Sequence, residues 1–426
     1  MNNGIGLYIH IPFCKQKCYY CDFNSYSGMD YLAGSYFNAL KTEMGIMAEA
    51  LCERPVKTVF IGGGTPSLVD PAYISGLLED CGRFFKMSPD AEISMECNPG
   101  TLSSVHLRIY RQAGINRLSI GLQAWQDRLL KSLGRIHRRQ QFTENLEAAY
   151  MTGFTNINAD LIFGLPGQTF EDWTETLEAA TSPCAGRRLT HLSCYSLQIE
   201  EGTVFGDRYE AGRLIPADDE LDRKMYRHAI EFLTGNGYCH YEISNFALPG
   251  FECRHNLTYW RAEEYVGFGA GAHSYLDGKR FSNTAGIEKY ISAVKRLKEE
   301  TRSGGETGLH EDVQHIERQE SMSEFMILGL RLIKGVSSEE FRLRYGAELQ
   351  EVYGDKLETL VQEGLLIREE PGCFVSETKE PSLRFTRENE TKEPSLRFAP
   401  LRYTDVHYRL SALGLDLANK VFVEFI

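Results

Sequence analysis

The sequence predicts an α/β fold in which a parallel sheet carries its helices on the outside and a smaller α+β domain follows. Between Ile5 and Gln198, six short β-rich runs alternate with longer segments whose apolar residues recur at helical spacing. The connections are short, which favours right-handed β/α units in one parallel sheet. Six units are too few for a closed eight-stranded barrel, so we expect a partial (β/α)6 barrel.

The six predicted strands are GLYIHI, KTVFIGGG, AEISMEC, INRLSIGLQ, NINADLIFGLP and LTHLSCYSLQ. The predicted helices between them are Asp30–Leu51, Pro71–Phe85, Ser103–Ala113, Gln140–Thr152 and Phe170–Ala180. In a parallel sheet the carboxyl ends of the strands build the functional site. Three cysteines follow the first predicted strand, and Gly62–Pro66 follows the second. We therefore expect the site at this edge of the sheet.

The pattern changes beyond Pro216, and the sequence predicts three parts. Residues 1–215 form the barrel, and residues 216–310 form an extension or lid that contains YEISNF, HNLTYW and YVGFGAGAHSY. Residues 311–426, with three short helices and a β wing, predict a winged-helix-like domain after a polar linker. ETKEPSLRF occurs twice within residues 377–398. Two copies are too few for a solenoid, so we interpret them as a duplication inside a wing loop.

Charge and hydropathy exclude several classes of protein. The 46 Lys and Arg against 59 Asp and Glu give a net charge of −13, which repels nucleic-acid backbones. The chain starts MNNGIGLYIHIPF, without the pattern of an export signal, and no apolar run approaches the roughly 20 residues that span a bilayer. We expect a cytoplasmic protein whose scattered cysteines are reduced.

Three of the eleven cysteines form a group, with Cys14, Cys18 and Cys21 in one loop. A tetrahedral zinc site would need a fourth ligand, and the candidate His10 lies inside the preceding strand. A [4Fe–4S] cluster normally takes four thiolates, so three would leave one iron open to chelate a small molecule. The triad alone leaves both interpretations open.

The segments around the triad make the sequence recognisable. YIHIPFCKQKCYYCDF, VFIGGGTP, MECNPGTL, RLSIGLQAW, LGRIH, DLIFGLPGQT and HNLTYW together resemble the oxygen-independent coproporphyrinogen-III-oxidase-like family of radical S-adenosylmethionine (radical-SAM) proteins, and within it the HemW-type haem chaperones. The cysteine spacing alone is typical of a whole superfamily, but the seven motifs in this order are specific. The resemblance implies a radical-SAM barrel in which Cys14, Cys18 and Cys21 hold a [4Fe–4S] cluster.

The resemblance also implies the residues that bind S-adenosylmethionine (SAM). They are Tyr8, Gly63, Gly64, Thr65, Glu96, Gln123, Arg135 and Asp160. The residue types are suitable, because glycines let backbone N–H groups approach a carboxylate, and carboxylates accept hydrogen bonds from ammonium or ribose groups. Each also has a plainer interpretation: the glycines as a strand-to-helix turn, the acids as solvated rim charges, and Arg135 as a surface cation in LGRIHRR.

HNLTYW supplies the candidate for haem contact. His255 could ligate haem iron while the aromatic residues after it stack on the porphyrin. A buried, hydrogen-bonded histidine is an equally good interpretation of the same residue.

Two departures from the dehydrogenase members of the family separate the functions. By the resemblance, those enzymes carry a further cysteine two residues after the third ligand, where this chain has Phe23. They also carry a long extension ahead of the first strand, whereas this chain enters its first predicted strand within about six residues. We therefore expect a chaperone that binds haem and passes it to an acceptor haemoprotein, with membrane contact only through that acceptor. The alternative is oxygen-independent coproporphyrinogen III dehydrogenase, so whether the chain is an enzyme stays open. A nucleic-acid-modifying radical-SAM enzyme is disfavoured by charge and by HNLTYW.

Overall fold

The structure is a computed structural model that describes residues 4–300, 308–370 and 405–426. The strands are β1 Ile5–Ile11, β2 Phe13–Cys14, β3 Tyr26–Ser27, β4 Val56–Gly63, β5 Met87–Cys97, β6 Arg117–Gln123, β7 Asn156–Phe163, β8 His191–Ser196, β9 Cys239–Glu242, β10 Asn245–Ala247, β11 Tyr265–Phe268, β12 His273–Leu276, β13 Lys279–Asn283, β14 His310–His315, β15 Val336–Ser337, β16 Leu366–Glu369 and β17 His407–Leu410. The helices are α1 Ala33–Leu51, α2 Pro71–Phe84, α3 Ser104–Gln112, α4 Asp127–Ser132, α5 Arg139–Met151, α6 Phe170–Thr181, α7 Val204–Glu210, α8 Asp219–Gly235, α9 Arg254–Trp260, α10 Ile287–Glu300, α11 Arg318–Gly329, α12 Ser338–Tyr345, α13 Leu349–Gln362, α14 Ala412–Asp416 and α15 Ala418–Val423.

The chain divides into two compact units, Met1–Arg318 and Gln319–Ile426. The first contains the barrel together with residues 216–310, whose strands belong to the same sheet. The expected division of the chain into three parts stays a prediction. Both copies of ETKEPSLRF lie outside the described residues. No helix in the described ranges is long and apolar enough to cross a membrane.

One mixed sheet organises the first unit, with strand order β14-β13-β12-β11-β1-β4-β5-β6-β7-β8-β10-β9. The six predicted strands are β1, β4, β5, β6, β7 and β8, and each pairs in parallel with the next. The predicted partial barrel is therefore confirmed. A further strand, β11, also runs parallel to β1, and antiparallel strands extend both edges.

The segment after the barrel extends both edges of the sheet. YEISNF forms a hairpin of β9 and β10, with a register shift between Asn245 and Phe246. The glycine-rich segment places β11 beside β1 and then turns back into β12. Gly269 allows that turn, because its φ is +99° and a Cβ there would lie 2.5 Å from the Tyr36 hydroxyl.

The parallel strands alternate between an apolar outer face and a polar inner face. The buried outward side chains include Leu7, Ile9, Val59, Ile61, Leu118, Ile120, Ile157 and Ala159. The inward side chains include Tyr8, His10, Glu96, Ser119, Asn158, Asp160 and Ser193, which line a cavity. Parallel strands covered on both faces are ordinarily apolar throughout. A polar inner face therefore indicates a lumen built to receive a ligand.

Helix α9, which carries HNLTYW, packs across the amino ends of the strands. Thr58 Oγ1 and His255 Nδ1 are 2.8 Å apart, which ties the helix to β4. Glu92 on β5 accepts hydrogen bonds from the backbone N–H groups of Arg254 at 3.0 Å and His255 at 3.1 Å. Because these are first-turn amides, Glu92 caps the helix from another part of the chain. The helix covers the end of the lumen opposite to the cysteine loop.

The second unit combines α11, α12 and α13 with a small sheet of order β15-β17-β16. Its core is aromatic, with Phe341 fully buried among Phe325, Tyr345 and Tyr353. Glycine at position 346 ends α12 in the left-handed conformation that favours this residue. Helices around a three-stranded wing are the α+β arrangement that the sequence predicts.

Candidate functional site

The cysteine loop is fixed in place on both sides of its three thiols. Phe13–Cys14 pairs with Tyr26–Ser27, which ties the start of the loop to its end. In its middle, the Tyr19 N–H donates to the Leu133 carbonyl at 3.0 Å, and the Tyr19 carbonyl accepts from the Phe205 N–H at 2.8 Å. Tyr19 and Tyr20 also pack on a buried apolar cluster that includes Leu133 and Phe205. The loop therefore presents its thiols in a defined position.

The thiols line a cavity of about 210 Å³ at the carboxyl ends of the strands. This cavity brings together most of the residues singled out from the sequence, namely Cys14, Cys18, Cys21, Gly63, Gly64, Thr65, Glu96, Gln123, Arg135 and Asp160. Tyr8 and His255 do not line it and face a second cavity instead. The site lies at the edge of the sheet that the sequence predicts.

Gly63 and Gly64 are closely tied to the elements around them. Their amides are already used inside the protein: Gly63 N–H donates to Glu96 at 3.0 Å and Gly64 N–H to the Ile11 carbonyl at 2.8 Å. The expected approach of these N–H groups to a ligand carboxylate stays a prediction. What the position needs is space, because a Cβ on Gly64 would lie 2.7 Å from the Phe13 carbonyl oxygen and 3.1 Å from Cys14 Sγ. The glycines let β4 meet the cysteine loop.

Arg135 is an interior residue and not a surface cation. Its guanidinium donates to Asn98 Oδ1 at 2.6 Å, to the Gly121 carbonyl at 3.2 Å and to Cys18 Sγ at 3.4 Å. Hydrogen bonds from a charged donor are stronger than neutral ones. Arg135 thus positions the cysteine loop against the ends of β5 and β6.

Glu96 and Asp160 form an acidic pair inside the cavity. Asp160 accepts hydrogen bonds from Ser119 Oγ at 2.9 Å and Asn158 Nδ2 at 2.8 Å. Burial, together with the charge of Asp160, raises the pKa of Glu96 to about 8, and burial raises the pKa of Asp160 as well. Like charges in a dry site destabilise each other, so a ligand that brings positive charge would relieve the pair.

Gln123 has an unusual backbone at the end of β6. Its φ is +69°, in the left-handed region that non-glycine residues rarely adopt, and the register between β6 and β7 shifts between Gly121 and Gln123. The side chain is almost fully buried and lines the thiol cavity. Strain of this kind is concentrated at functional sites, and it is consistent with the placing of Gln123 toward a ligand.

A second cavity, of about 530 Å³, occupies the lumen below the first. The two are continuous, since both are lined by Phe23, Gly63, Glu96, Ser119, Asp160 and Tyr195. The walls of the second are rich in aromatic rings: Tyr8, Phe60, Tyr195, Tyr259 and Tyr265. It also exposes three side chains that sequence reasoning missed, namely Arg117, Tyr195 and His273.

His255 lines this second cavity with both ring nitrogens engaged. Nδ1 is 2.8 Å from Thr58 Oγ1, and Nε2 is 2.8 Å from the Tyr259 hydroxyl. Burial, with the nearby Arg117, lowers the pKa of His255 to about 3, so the ring is neutral. This is the arrangement of a structural histidine. His273, by contrast, is exposed and makes no side-chain hydrogen bond to the described residues.

Comparison with known proteins connects this geometry to a family. The Radical SAM superfamily matches residues 8–180, and the HemN C-terminal domain matches residues 316–377. "Heme chaperone HemW" of Bacillus subtilis (strain 168) is 38% identical over 371 residues, which cover 87% of this chain and 94% of that protein. HemW of Escherichia coli (strain K12) is 35% identical, over 85% of this chain and 91% of the relative.

The chain belongs to the HemW family of radical-SAM proteins. Among solved structures, the coproporphyrinogen III oxidase HemN of Escherichia coli, described as a radical SAM enzyme, matches with a TM-score of 0.75. That match covers 99% of this chain and 90% of HemN at 22% identity, so it shows the shared fold. This chain therefore shares the fold of HemN.

Membership of the radical-SAM superfamily implies a [4Fe–4S] cluster and SAM, and the residues of the thiol cavity fit both. In the described part of the chain, no three His, Cys, Asp or Glu side chains are placed to hold a single metal ion. A cluster takes one thiolate per iron, and three thiols around one cavity are such a donor set. Burial raises the pKa of the Cys21 thiol to about 11, so binding of iron would displace a proton there. When bound together, cluster and SAM supply one-electron cleavage of a sulfonium bond.

Proposed function

We propose that this chain binds haem and passes it to an acceptor haemoprotein, as the name of its curated HemW relatives describes. The observation that carries the proposal is Phe23. It lies two residues after Cys21, where the resemblance places a further cysteine in the dehydrogenases. Phe23 is 57% exposed and borders both cavities, so an apolar side chain replaces a thiol at the junction of the two.

In this proposal the thiol cavity holds the cluster and SAM. Cys14, Cys18 and Cys21 would hold the cluster, which would leave one iron without a thiolate and open to SAM. The acidic pair Glu96 and Asp160 accepts hydrogen bonds from the ammonium or ribose groups of the cation, whose positive charge would offset the effect of the burial that raises their pKa values. Gln123, Arg135, Thr65 and the two glycines complete the SAM site, with Tyr8 at its border to the lumen.

Haem enters the second cavity in this proposal. Aromatic walls suit a flat conjugated ring, because offset and edge-to-face ring contacts add to the burial of apolar area. Iron needs an imidazole nitrogen that is free to bind it. His255 would have to give up its bond to Thr58 or to Tyr259, whereas His273 is the cavity histidine without such bonds to the described residues. We therefore propose His273, and not His255, as the haem ligand from this chain.

The binding test is a titration of the anaerobically reconstituted full chain with haemin, followed in the Soret band. We expect His273→Ala to shift the Soret maximum and weaken binding roughly tenfold or more, since a metal bond is lost. His255→Phe is the matched control and should keep the wild-type spectrum. The reverse pattern would return the ligand role to His255, and no haem binding by the wild type would overturn the proposed function.

The competing function is oxygen-independent coproporphyrinogen III dehydrogenase, which the HemN-like fold could also serve. Incubation of the reconstituted protein with coproporphyrinogen III, SAM and a reductant separates the two. We expect no protoporphyrinogen IX. Robust formation of that product, with consumption of SAM, would overturn the chaperone proposal.

A further inference from the structure

Arg117 is a charged side chain buried in the lumen. It begins β6, is 2% exposed and lines the second cavity but not the thiol cavity. An arginine remains protonated at any pH that a folded protein meets. Burial of an ionised group costs several kcal/mol unless it is paired and hydrogen-bonded. The position of this cation therefore requires an explanation.

The described residues give Arg117 no partner for its Nε, which is buried without a hydrogen bond. Glu92 lies near enough to affect its pKa, but both Glu92 oxygens are committed to Arg254 N–H, His255 N–H and Cys253. No ion pair joins Arg117 to an acid within the described ranges.

The other polar neighbours are likewise committed to one another. Asp160 accepts hydrogen bonds from Ser119 and Asn158, and Asn158 in turn pairs with His191 at 2.7 Å. The second nitrogen of His191 bonds to the Tyr241 hydroxyl at 2.8 Å. These side chains form a closed network beside the guanidinium, and the free direction from Arg117 is the cavity.

We propose that Arg117 binds a carboxylate of the ligand that enters the lumen. A guanidinium matches a carboxylate in a planar, two-bonded geometry, and a buried, water-poor position strengthens that pairing. For the identity of the ligand, the inference rests on the proposed function. Haem carries two propionates, and one of them would reach Arg117 when the porphyrin ring lies between the aromatic walls. Arg117 then determines which end of the macrocycle enters first.

The experiment compares haemin with haemin dimethyl ester, in which both propionates are esterified, on the reconstituted full chain. Each ligand is titrated into wild type, Arg117→Met and Arg117→Lys, with Arg108→Met, an exposed position on α3, as the control. Iron content and thermal unfolding establish that each variant is folded and loaded. Succinate, titrated separately, tests whether a small dicarboxylate is the occupant.

We expect the wild type and Arg108→Met to bind haemin roughly 10- to 100-fold more tightly than the diester, which is the range for a hydrogen bond to a charged partner. Arg117→Met should bind both ligands equally and weakly, and Arg117→Lys should recover part of the difference. Equal binding of haemin and diester by the wild type would overturn the inference while leaving haem binding intact. A preference that survives in Arg117→Met would assign the carboxylate to another group. Succinate binding that depends on Arg117, with no effect of esterification, would assign a small carboxylate in place of haem.

Discussion

Replacing Glu96 with Gln tests the electrostatics of the thiol cavity directly. Glutamine keeps the shape and can still accept the hydrogen bond from Gly63 N–H, but it cannot ionise. The pKa of Glu96 is about 8 in the folded chain against 4.5 for a free side chain. A carboxyl whose pKa is raised by folding favours the folded state only while it is protonated. Its contribution to the free energy of unfolding is therefore lost as the pH rises from 4.5 toward 8.

The magnitude follows from the size of the shift. Each pH unit between the two pKa values lowers the free energy of unfolding by about 1.4 kcal/mol. For the wild type without ligand, the loss of stability is about 3 kcal/mol at pH 7 and about 4 kcal/mol at pH 8. Glu96→Gln should remove most of this dependence of the free energy of unfolding on pH, and it should be the more stable protein at pH 8. The free energies of unfolding of the wild type and the variant should converge near pH 4.5.

Urea unfolding between pH 5 and 8.5, followed by tryptophan fluorescence, measures this difference. All three tryptophans, Trp125, Trp173 and Trp260, lie in the first unit, so the signal reports on that unit. Saturating SAM should flatten the wild-type slope, because a bound cation favours the ionised carboxyl. Parallel pH profiles for the wild type and Glu96→Gln would refute the assignment of a raised pKa to Glu96.

Three further substitutions, two of them with a matched control, test the placement of other residues. Cys14→Ala should abolish the iron-dependent absorbance of the reconstituted protein, whereas the control Cys52→Ala, at an exposed position, should keep it. Equal loss of this absorbance in both variants would refute the cluster assignment. Gly64→Ala should lower the iron content, because the new Cβ displaces the cysteine loop. In the control Gly76→Ala the new Cβ meets nothing within 4 Å, so this variant should stabilise α2 by about 0.5–1 kcal/mol. An unchanged iron content in Gly64→Ala would contradict the steric argument. His255→Phe should cost about 1–3 kcal/mol in denaturation, since the hydroxyls of Thr58 and Tyr259 lose a buried partner, and an unchanged stability would count against a structural role.

The elements that the sequence predicts well are those with strong local patterns. The six parallel strands appear as β-rich runs bounded by turn residues, and their motifs lie at strand ends, so the contents of the thiol cavity follow from the order of the strands. Helix α9 has no such pattern. It is seven residues long, and Cys253 provides no side-chain cap, because Glu92 on a distant strand caps it instead. A helix stabilised in this way cannot be read from its own residues.

The burial of Arg117 and the partners of the glycine amides could not be read from the sequence for a related reason. In RLSIGLQ, alternation places Arg117 on the same face as Ser119, which is a signal that could have been used. That the face is a lumen, and that no neighbour satisfies the guanidinium, depends on contacts between strands. The amides of Gly63 and Gly64 are likewise consumed by Glu96 and Ile11, through contacts that only the folded loop creates.

The shared wall of the two cavities couples whatever they hold. Phe23, Gly63, Glu96, Ser119, Asp160 and Tyr195 line both cavities, so a ligand in one lies against side chains that shape the other. Two ligands that meet at one wall change each other's affinity, and the change is reciprocal. In the proposed function, SAM should therefore alter the affinity for haem by the same factor by which haem alters the affinity for SAM.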